Sequence, residues 1–496
     1  MLGFVLALAT PLLPVVQTTA TVNWPQNGVI GDVEAPLMAQ VPIDVNASIP
    51  CTAVSSLPEG GGILMSTAPA QGDGAALSSM FVRVSATSVD VLDRNVVVAS
   101  AAREDVESSR CGAIAFSSDV NRTSAEFVGL TYPDGNPIRG QLDGDFRPQV
   151  VGVFSDLPDG AAPEGLGFSM TIDSRFSSSP SVLKLVAMIV AVLSTIVALV
   201  ALARLDGTDG RKHRRFLPAR WWKFSGIDGV VVGTLVVWHF IGANTADDGY
   251  LLTMARVSPD AGYMANYFRW FGVPEAPFGW YYEVLAVMAK ISTASPFMRL
   301  PALLAGILCW MVISREVVPR LGRAVRRSNV ALWTGGLVFL SFWLAYNNGL
   351  RPEPIVALGA LLTWCSIERA IATGRLLPAA TAILIGAFTL AAAPTGLMCI
   401  AALLAGVRPL VRIVVKRHRL VGTLPLLAPI AAAGTIVLVV IFADQTFAGV
   451  MEATRVRTII GPNLEWYQDF LRYYYLFVQT VDGSVARRFA FLTMIL

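Results

Sequence analysis

Charge is what this sequence most lacks: 15% of its 496 residues are Asp, Glu, Lys or Arg, against 54% hydrophobic. A soluble domain carries about 25% charged residues. The deficit excludes a wholly soluble fold and points to a polytopic membrane protein, long enough for several spans and at least one soluble domain. The net charge is only +3, too small to imply a nucleic-acid partner. Histidine and cysteine are scarce too. His213, His239 and His418 stand far apart, and no Cys/His spacing suggests a metal site. Cys309, Cys365 and Cys399 lie in apolar runs and read as small buried hydrophobes. Cys51 and Cys111 share the one long polar region, where oxidising surroundings would join them in a disulfide. No basic stretch precedes the apolar run 2–16, which weakens a signal-peptide reading. A first membrane span with a short or missing cytoplasmic end is expected instead.

The polar region, 17–179, alternates in the manner of strands. Phe81-Val82-Arg83-Val84, Asn95-Val96-Val97-Val98, Gln149-Val150-Val151-Gly152-Val153-Phe154 and Phe168-Ser169-Met170-Thr171-Ile172 are separated by turn clusters such as Glu59-Gly60-Gly61-Gly62 and Pro133-Asp134-Gly135. Short strands at this spacing predict a β-sandwich. Apolar runs then predict spans near 182–203, 227–243, 299–314, 329–346, 354–367, 377–393, 396–407 and 421–442. The two runs flanking Pro394-Thr395-Gly396 are also compatible with one broken helix. A last run starts near Phe489 and stops at Leu496, which reads as an incomplete chain. Basic residues gather in four loops: Arg211, Lys212, Arg214, Arg215, Arg220 and Lys223; Arg315, Arg320, Arg323, Arg326 and Arg327; Arg369 and Arg375; Arg408, Arg412, Lys416, Arg417 and Arg419. With these spans all four fall on one side, which the distribution of basic loops makes cytoplasmic. The β-domain and the segments around 247, 350 and 444–488 then face outward.

One outward stretch stands out. Asn244-Thr245-Ala246-Asp247-Asp248-Gly249-Tyr250 follows the apolar run 230–242, and two carboxylates at the mouth of a membrane helix are costly unless used. Apolar residues 250, 251, 254 and 257 predict a short helix with Asp247 as its N-cap. An aromatic segment follows, Tyr263 to Tyr282, enclosing Glu275. It reads either as an interfacial belt or as rings that stack on sugar or lipid. Asn347, Asn348, Arg351 and Glu353 sit at another span boundary, where Arg351 and Glu353 have each other as candidate partners. Arg455, Arg457 and Arg472 lie among Trp466, Tyr467, Tyr473, Tyr474 and Tyr475. Arginine recognises phosphate bidentately and a carboxylate deprotonates a hydroxyl. Together these groups suit an enzyme handling a lipid-linked phosphosugar.

At these residues the sequence closely resembles the mycobacterial Emb arabinosyltransferases, the targets of ethambutol. The resemblance rests on Asp247-Asp248-Gly249-Tyr250, Ala261-Gly262-Tyr263-Met264-Ala265-Asn266-Tyr267-Phe268-Arg269-Trp270, Asn347-Asn348-Gly349-Leu350-Arg351-Pro352-Glu353 and Glu452-Ala453-Thr454-Arg455-Val456-Arg457, and it covers essentially the whole chain. It implies a polytopic α-helical membrane protein of the GT-C glycosyltransferase type with an inserted extracytoplasmic, jelly-roll-like β-sandwich. A first membrane helix (1–19), a carbohydrate-binding-like domain (20–180) and a transmembrane domain with outward catalytic loops (181–496) would follow one another. The activity implied is inverting transfer of arabinofuranose from decaprenyl-phosphoryl-arabinose to arabinan of arabinogalactan or lipoarabinomannan, at the plasma membrane. The resemblance makes Asp247 the catalytic base and Asp248 its support, with Tyr250, Met254 and Glu275 lining the donor pocket. Asn347, Asn348, Arg351, Arg455 and Arg457 are candidates to hold the donor. A divalent cation at the acidic pair stays open, as does pairing with itself or a sister subunit. The family's second half, with further spans and a second carbohydrate-binding domain, lies beyond this sequence.

Two rival classes remain. A transporter or flippase of lipid-linked saccharides predicts internal repeats or charges at mid-membrane. No repeat is evident, and His239 beside Trp238 is the nearest approach to a mid-membrane ionisable group. A non-catalytic carbohydrate-binding subunit would make the acidic pair dispensable.

Overall fold

The computed structural model describes residues 1–34, 41–208, 219–245 and 247–460. Arg211, Lys212, Arg214 and Arg215, the segment with Trp466, Tyr467, Arg472 and Tyr473 to Tyr475, and the run near Phe489 lie outside the described residues, as do the side chains of Arg220 and Arg419. The chain forms two compact units, one of Gln17–Arg175 and one of Met1–Val16 with Phe176–Leu496.

The first unit is a β-sandwich. One sheet has six strands: β1 (Val15–Trp24), β2 (Asp44–Pro50), β7 (Ala113–Ser118), β8 (Arg122–Thr131), β9 (Pro137–Asp143) and β10 (Gly167–Pro180), in the order β1-β10-β2-β7-β8-β9. The other is the antiparallel meander β3 (Gly62–Ser66), β4 (Met80–Val84), β5 (Ser88–Asp93) and β6 (Val96–Ala102). Side chains alternate across each strand, so Val45, Ile49, Ile114, Phe116, Phe127, Val82, Val89 and Val91 share one core. Cys51 and Cys111 are disulfide-bonded at its edge. The stretch expected as a strand over 149–154 pairs only at Gly152–Val153. Its neighbours Val150 and Phe154 are held by loop contacts, Val150 buried in the core and Phe154 bridged to Ser66.

The second unit is helical. Its elements are α1 (Leu2–Ala9), α2 (Val182–Gly207), α3 (Gly226–Ile241), α4 (Asp248–Ala261), α5 (Trp280–Ala289), α6 (Leu300–Val312), α7 (Asn329–Trp343), α8 (Glu353–Thr373), α9 (Leu377–Ala392), α10 (Leu397–Val421), α11 (Leu424–Thr435) and α12 (Phe447–Ile460), with shorter turns between. Among the described residues five helical stretches are long and apolar enough to cross a membrane, and four shorter apolar helices accompany them. Two expectations from the sequence change, and one choice between alternatives is decided. The first apolar run is helical only to Ala9, with a tight turn to Leu12 and strand from Val15. Proline supplies no N–H and ends a helix, and Pro11 and Pro14 sit at this boundary. The runs around Pro394 are two helices, parted by extended Ala393 and a tight turn over Pro394–Gly396. The basic residues Arg408, Arg412, Lys416 and Arg417 are not in a loop but continue α10, where the four-residue spacing of the first three gives the helix a polar face.

Packing between α3, α6, α7 and α8 buries Ile227, Leu235, Trp310, Phe339 and Trp343, the last two rings stacked at 5.3 Å. Gly306 makes this possible: a Cβ there would lie 2.3 Å from the Trp343 indole nitrogen. Arg315, expected in a basic loop, is buried and forks onto Asp228 at 2.7 and 2.9 Å.

Candidate active site

The acidic stretch lies between the end of α3 and the start of α4. α4 buries Leu251, Met254 and Ala255 against Tyr281, Tyr282 and Leu285 of α5 and Leu350 before α8. Gly262, at φ +77°, closes α4 in a left-handed cap. The expected N-cap role of Asp247 is corrected here, because its side chain makes no capping bond. Asp248 holds the turn instead. It is 8% exposed, and its carboxylate accepts from the Thr245 N–H at 2.9 Å, the Thr245 hydroxyl at 2.6 Å and the Leu350 N–H at 2.9 Å. One side chain thereby ties the approach to α4 onto the approach to α8. The close contact requires Gly349, where a Cβ would come within 2.7 Å of the Thr245 methyl.

With Asp248 filled by donors, Asp247 is the accessible acid. Its side chain is 33% exposed and ion-paired with Arg351, itself 25% exposed. Arg351 therefore reaches across to the acidic stretch, while Glu353 keeps a buried Oε2 without a hydrogen-bond partner. Tyr250, Tyr281 and Tyr282 wall the site. Burial pushes all three phenols well above their ordinary range, reinforced at Tyr250 by Asp247 and at Tyr281 by Glu353 and Asp248. They stay neutral and able to donate hydrogen bonds. Arg269, which sequence reasoning passed over, lies 5.8 Å from the Tyr250 ring centroid and 5.1 Å from that of Trp270. An arginine set within a tyrosine-tryptophan run was the available signal, since guanidinium stacks on aromatic faces.

Glu275 is a second anionic point. It accepts from Asn266 Nδ2 at 2.7 Å and Trp270 Nε1 at 2.9 Å, and Arg457 of α12 stands 3.9 Å away. A cavity of about 180 Å³ opens beside it, lined by Met264, Trp280, Glu283, Asp444 and Gln445 among others. Burial raises the carboxyls of both Glu283 and Asp444. Trp280 also borders an apolar groove of about 520 Å³ between α2, α8 and α9, with Val192, Ile196, Leu358, Leu362 and Phe388 in its walls.

The remaining expected site residues divide. Asn347 is fully buried, donating to the Leu235 carbonyl at 3.0 Å and accepting from Trp343 Nε1 at 3.2 Å, so both ends of its amide serve helix packing. Asn348 donates to the Ala243 carbonyl and so supports the approach to the acidic stretch. Met254 is a core residue of α4, 1% exposed. Arg455 is turned to solvent and paired with Glu452 at 2.7 Å. Among the described residues no group of three or more His, Cys, Asp or Glu side chains gathers in a metal-binding arrangement.

A bundle of apolar helices, a β-sandwich inserted after the first of them, and an acid displayed at the start of a short helix beside a span boundary make up the GT-C class of membrane glycosyltransferase fold. Residues 179–496 match the family model described as "Mycobacterial cell wall arabinan synthesis protein", and residues 16–175 that of the "Arabinosyltransferase concanavalin like domain". The chain belongs to this arabinan-synthesis family. It is 57% identical over 493 residues to "Probable arabinosyltransferase B" of Mycobacterium avium, covering 99% of this chain and 46% of that protein. To "Probable arabinosyltransferase C" of Mycolicibacterium smegmatis it is 54% identical over 506 residues, covering 100% and 47%. The cryo-EM structure of arabinosyltransferase EmbB from Mycobacterium smegmatis superposes with a TM-score of 0.83 at 52% identity, covering 100% of this chain and 49% of that one. The chain thus spans about half the length of the relatives it matches.

Proposed function

We propose that the protein is, or forms part of, a membrane arabinosyltransferase that moves arabinofuranose from decaprenyl-phosphoryl-arabinose onto cell-wall arabinan. The observation that carries this reading is the half-open ion pair of Asp247 with Arg351 inside a tyrosine-walled site, in a chain of the arabinan-synthesis family. The acceptor hydroxyl gives its proton to Asp247 as its oxygen bonds to the anomeric carbon. The bond from that carbon to the phosphate oxygen breaks on the opposite face, and decaprenyl phosphate leaves with the electron pair, inverting the centre. In the resting site Arg351 pairs with the Asp247 carboxylate. When donor arrives, its phosphate takes over the guanidinium, since phosphate and carboxylate both match the fork, and the freed carboxylate becomes the base. Asp248 holds the segment and does no chemistry. Glu275, with Tyr250 and Arg457, orients the sugar, and the apolar groove beside Trp280 receives the polyprenyl chain.

The β-sandwich fits an acceptor-binding role on the outward side of the plasma membrane. Across five strands of its larger sheet, Ser169, Asn46, Ser117, Ser124 and Gln141 are successive cross-strand neighbours. At about 4.8 Å per strand this rung of hydroxyls and amides runs about 19 Å, the reach of a short oligosaccharide. They line a groove of about 940 Å³. Pairing with itself or a sister subunit would complete the assembly.

The test supplies membranes with decaprenyl-phosphoryl-arabinose and an oligo-arabinoside acceptor and compares wild type with Asp247→Asn. Abolished transfer with unchanged membrane insertion supports the reading. Wild-type transfer by the variant ends it.

A further inference from the structure

Arg299 is a buried cation that the proposed reaction does not use. It precedes α6, is 4% exposed, and turns its guanidinium toward the end of α3. It donates to the Gly242 carbonyl at 2.8 Å, to the His239 carbonyl at 3.4 Å, and to the side-chain oxygen of Asn244. Ser295 donates to that same oxygen at 2.9 Å. The Nε of Arg299 is buried without a partner, so its hydrogen bonds go to the segment 239–244 at the expense of its own stem. A guanidinium is tolerated in a dry site only where acceptors are supplied, and these three lie on one short stretch of chain.

That stretch is the exit of α3, whose last carbonyls lack helical N–H partners and attract a cation. A helix cap alone would be complete with the two carbonyls. The third contact goes further, to a side chain beyond the helix end, one residue before the Thr245 that Asp248 grips. Asn348 braces Ala243 from the other side. The segment leading into Asp247 is therefore fixed at both ends, by Arg299 before it and by Asp248 after it.

We propose that Arg299 is a positioning residue for Asp247, setting where the chain leaves α3 so that the carboxylate meets Arg351. The proposal rests on the reading of Asp247 as the base. Lysine would keep the charge and reach the carbonyls, but a single ammonium lacks the planar fork that spans three acceptors. Arg299→Lys and Asn244→Ala should then share one defect. A displacement of about 1 Å costs about 100-fold in rate, so each variant should lose about 10- to 100-fold in kcat with the donor KM within about 2-fold. Because both cut the same link, the double variant should fall no further than the worse single one.

The experiment measures kcat and donor KM per folded enzyme in membranes for wild type, both single variants, the double variant and Asp247→Asn. Asn244 is exposed, so its alanine variant should keep the wild-type melting midpoint, and it carries the test if Arg299→Lys accumulates poorly. Near-wild-type kcat in Asn244→Ala overturns the proposal, as do losses that multiply in the double variant or a donor KM that rises in step with them. An active Asp247→Asn would instead sink the base assignment. An inactive one beside wild-type-like Asn244→Ala sinks the positioning role alone.

Discussion

Two acid–guanidinium pairs flank α3, and they are built to opposite ends. Near its start Asp228 and Arg315 have side chains 2% and 6% exposed. The Asp228 carboxylate accepts two bonds from Arg315, one from Trp310 Nε1, and two from the N–H and hydroxyl of Ser225. No lone pair is left for a substrate. Beyond its other end Asp247 and Arg351 are 33% and 25% exposed, and the neighbouring Asp248 has absorbed the backbone donors. Identical chemistry thus gives a closed lock in one place and a half-open pair in the other. What separates them is how many other donors the carboxylate has.

The sharpest break in that comparison is Asp247→Asn. General-base catalysis contributes about 100- to 10,000-fold, so transfer should fall by that factor while the melting midpoint stays put. A large loss of stability would mean the open pair is structural after all. The closed pair should behave in reverse. Asp228→Asn leaves a buried guanidinium uncompensated, which costs about 3–5 kcal/mol, read as a lowered unfolding midpoint. Removing both partners as Asp228→Asn with Arg315→Met should recover much of it. An Asp228→Asn single variant as stable as wild type would show that the lock holds nothing.

A third carboxyl, in the β-sandwich, has no guanidinium fork at all. Asp93 at the end of β5 is fully buried, neither oxygen has a hydrogen-bond partner of good geometry, and the Thr123 hydroxyl is a nearby polar group. Burial pushes its carboxyl up to about 7. The sign is the reverse of a salt-bridged acid. Below the unfolded value, 3.8, both states are protonated. Between 3.8 and about 7 the unfolded chain has released the proton and the folded one has not, so stability falls as pH rises, and it levels off above about 7. Raising the pH from 5 to 8 should therefore cost about 2.5 kcal/mol, and Asp93→Asn should remove that slope. Thermal unfolding of both proteins across this range checks it, and parallel pH profiles would contradict it.

Much of this was legible in the sequence, where the information is local. Alternation in Phe81-Val82-Arg83-Val84 and Phe168-Ser169-Met170 gave strands, and apolar runs gave helices that fall within a few residues of α2, α3 and α7. What stayed hidden depends on distant partners. Asp247 and Asp248 are adjacent and alike, and their different roles arise from Leu350 and Arg351, about a hundred residues on. Arg351 and Glu353 read naturally as neighbours, yet Arg351 turns to Asp247. Arg299 finds two of its acceptors in backbone carbonyls, which leave no mark in a sequence. The basic cluster after 407 suggests a loop by charge alone, yet the helical spacing of 408, 412 and 416 keeps α10 intact.

The smallest expected effect bears on Arg351 itself. Lysine preserves a positive charge beside Asp247 but gives up the two parallel N–H donors, and with them the shape shared by carboxylate and phosphate. An exposed pair contributes about 0–1 kcal/mol to folding, so Arg351→Lys should melt with the wild type. Donor binding should suffer instead: about 10-fold in kcat/KM, the 1.4 kcal/mol of one lost charge-assisted bond, and mostly in KM. The same exchange at Arg315 should show as stability, because there the fork feeds a buried carboxylate with no solvent to replace the lost bond. If Arg351→Lys lowers kcat alone and leaves donor KM untouched, the guanidinium never leaves Asp247 for the phosphate. The open pair would then be a fixed electrostatic support, and the contrast with the Asp228 lock would be one of exposure only.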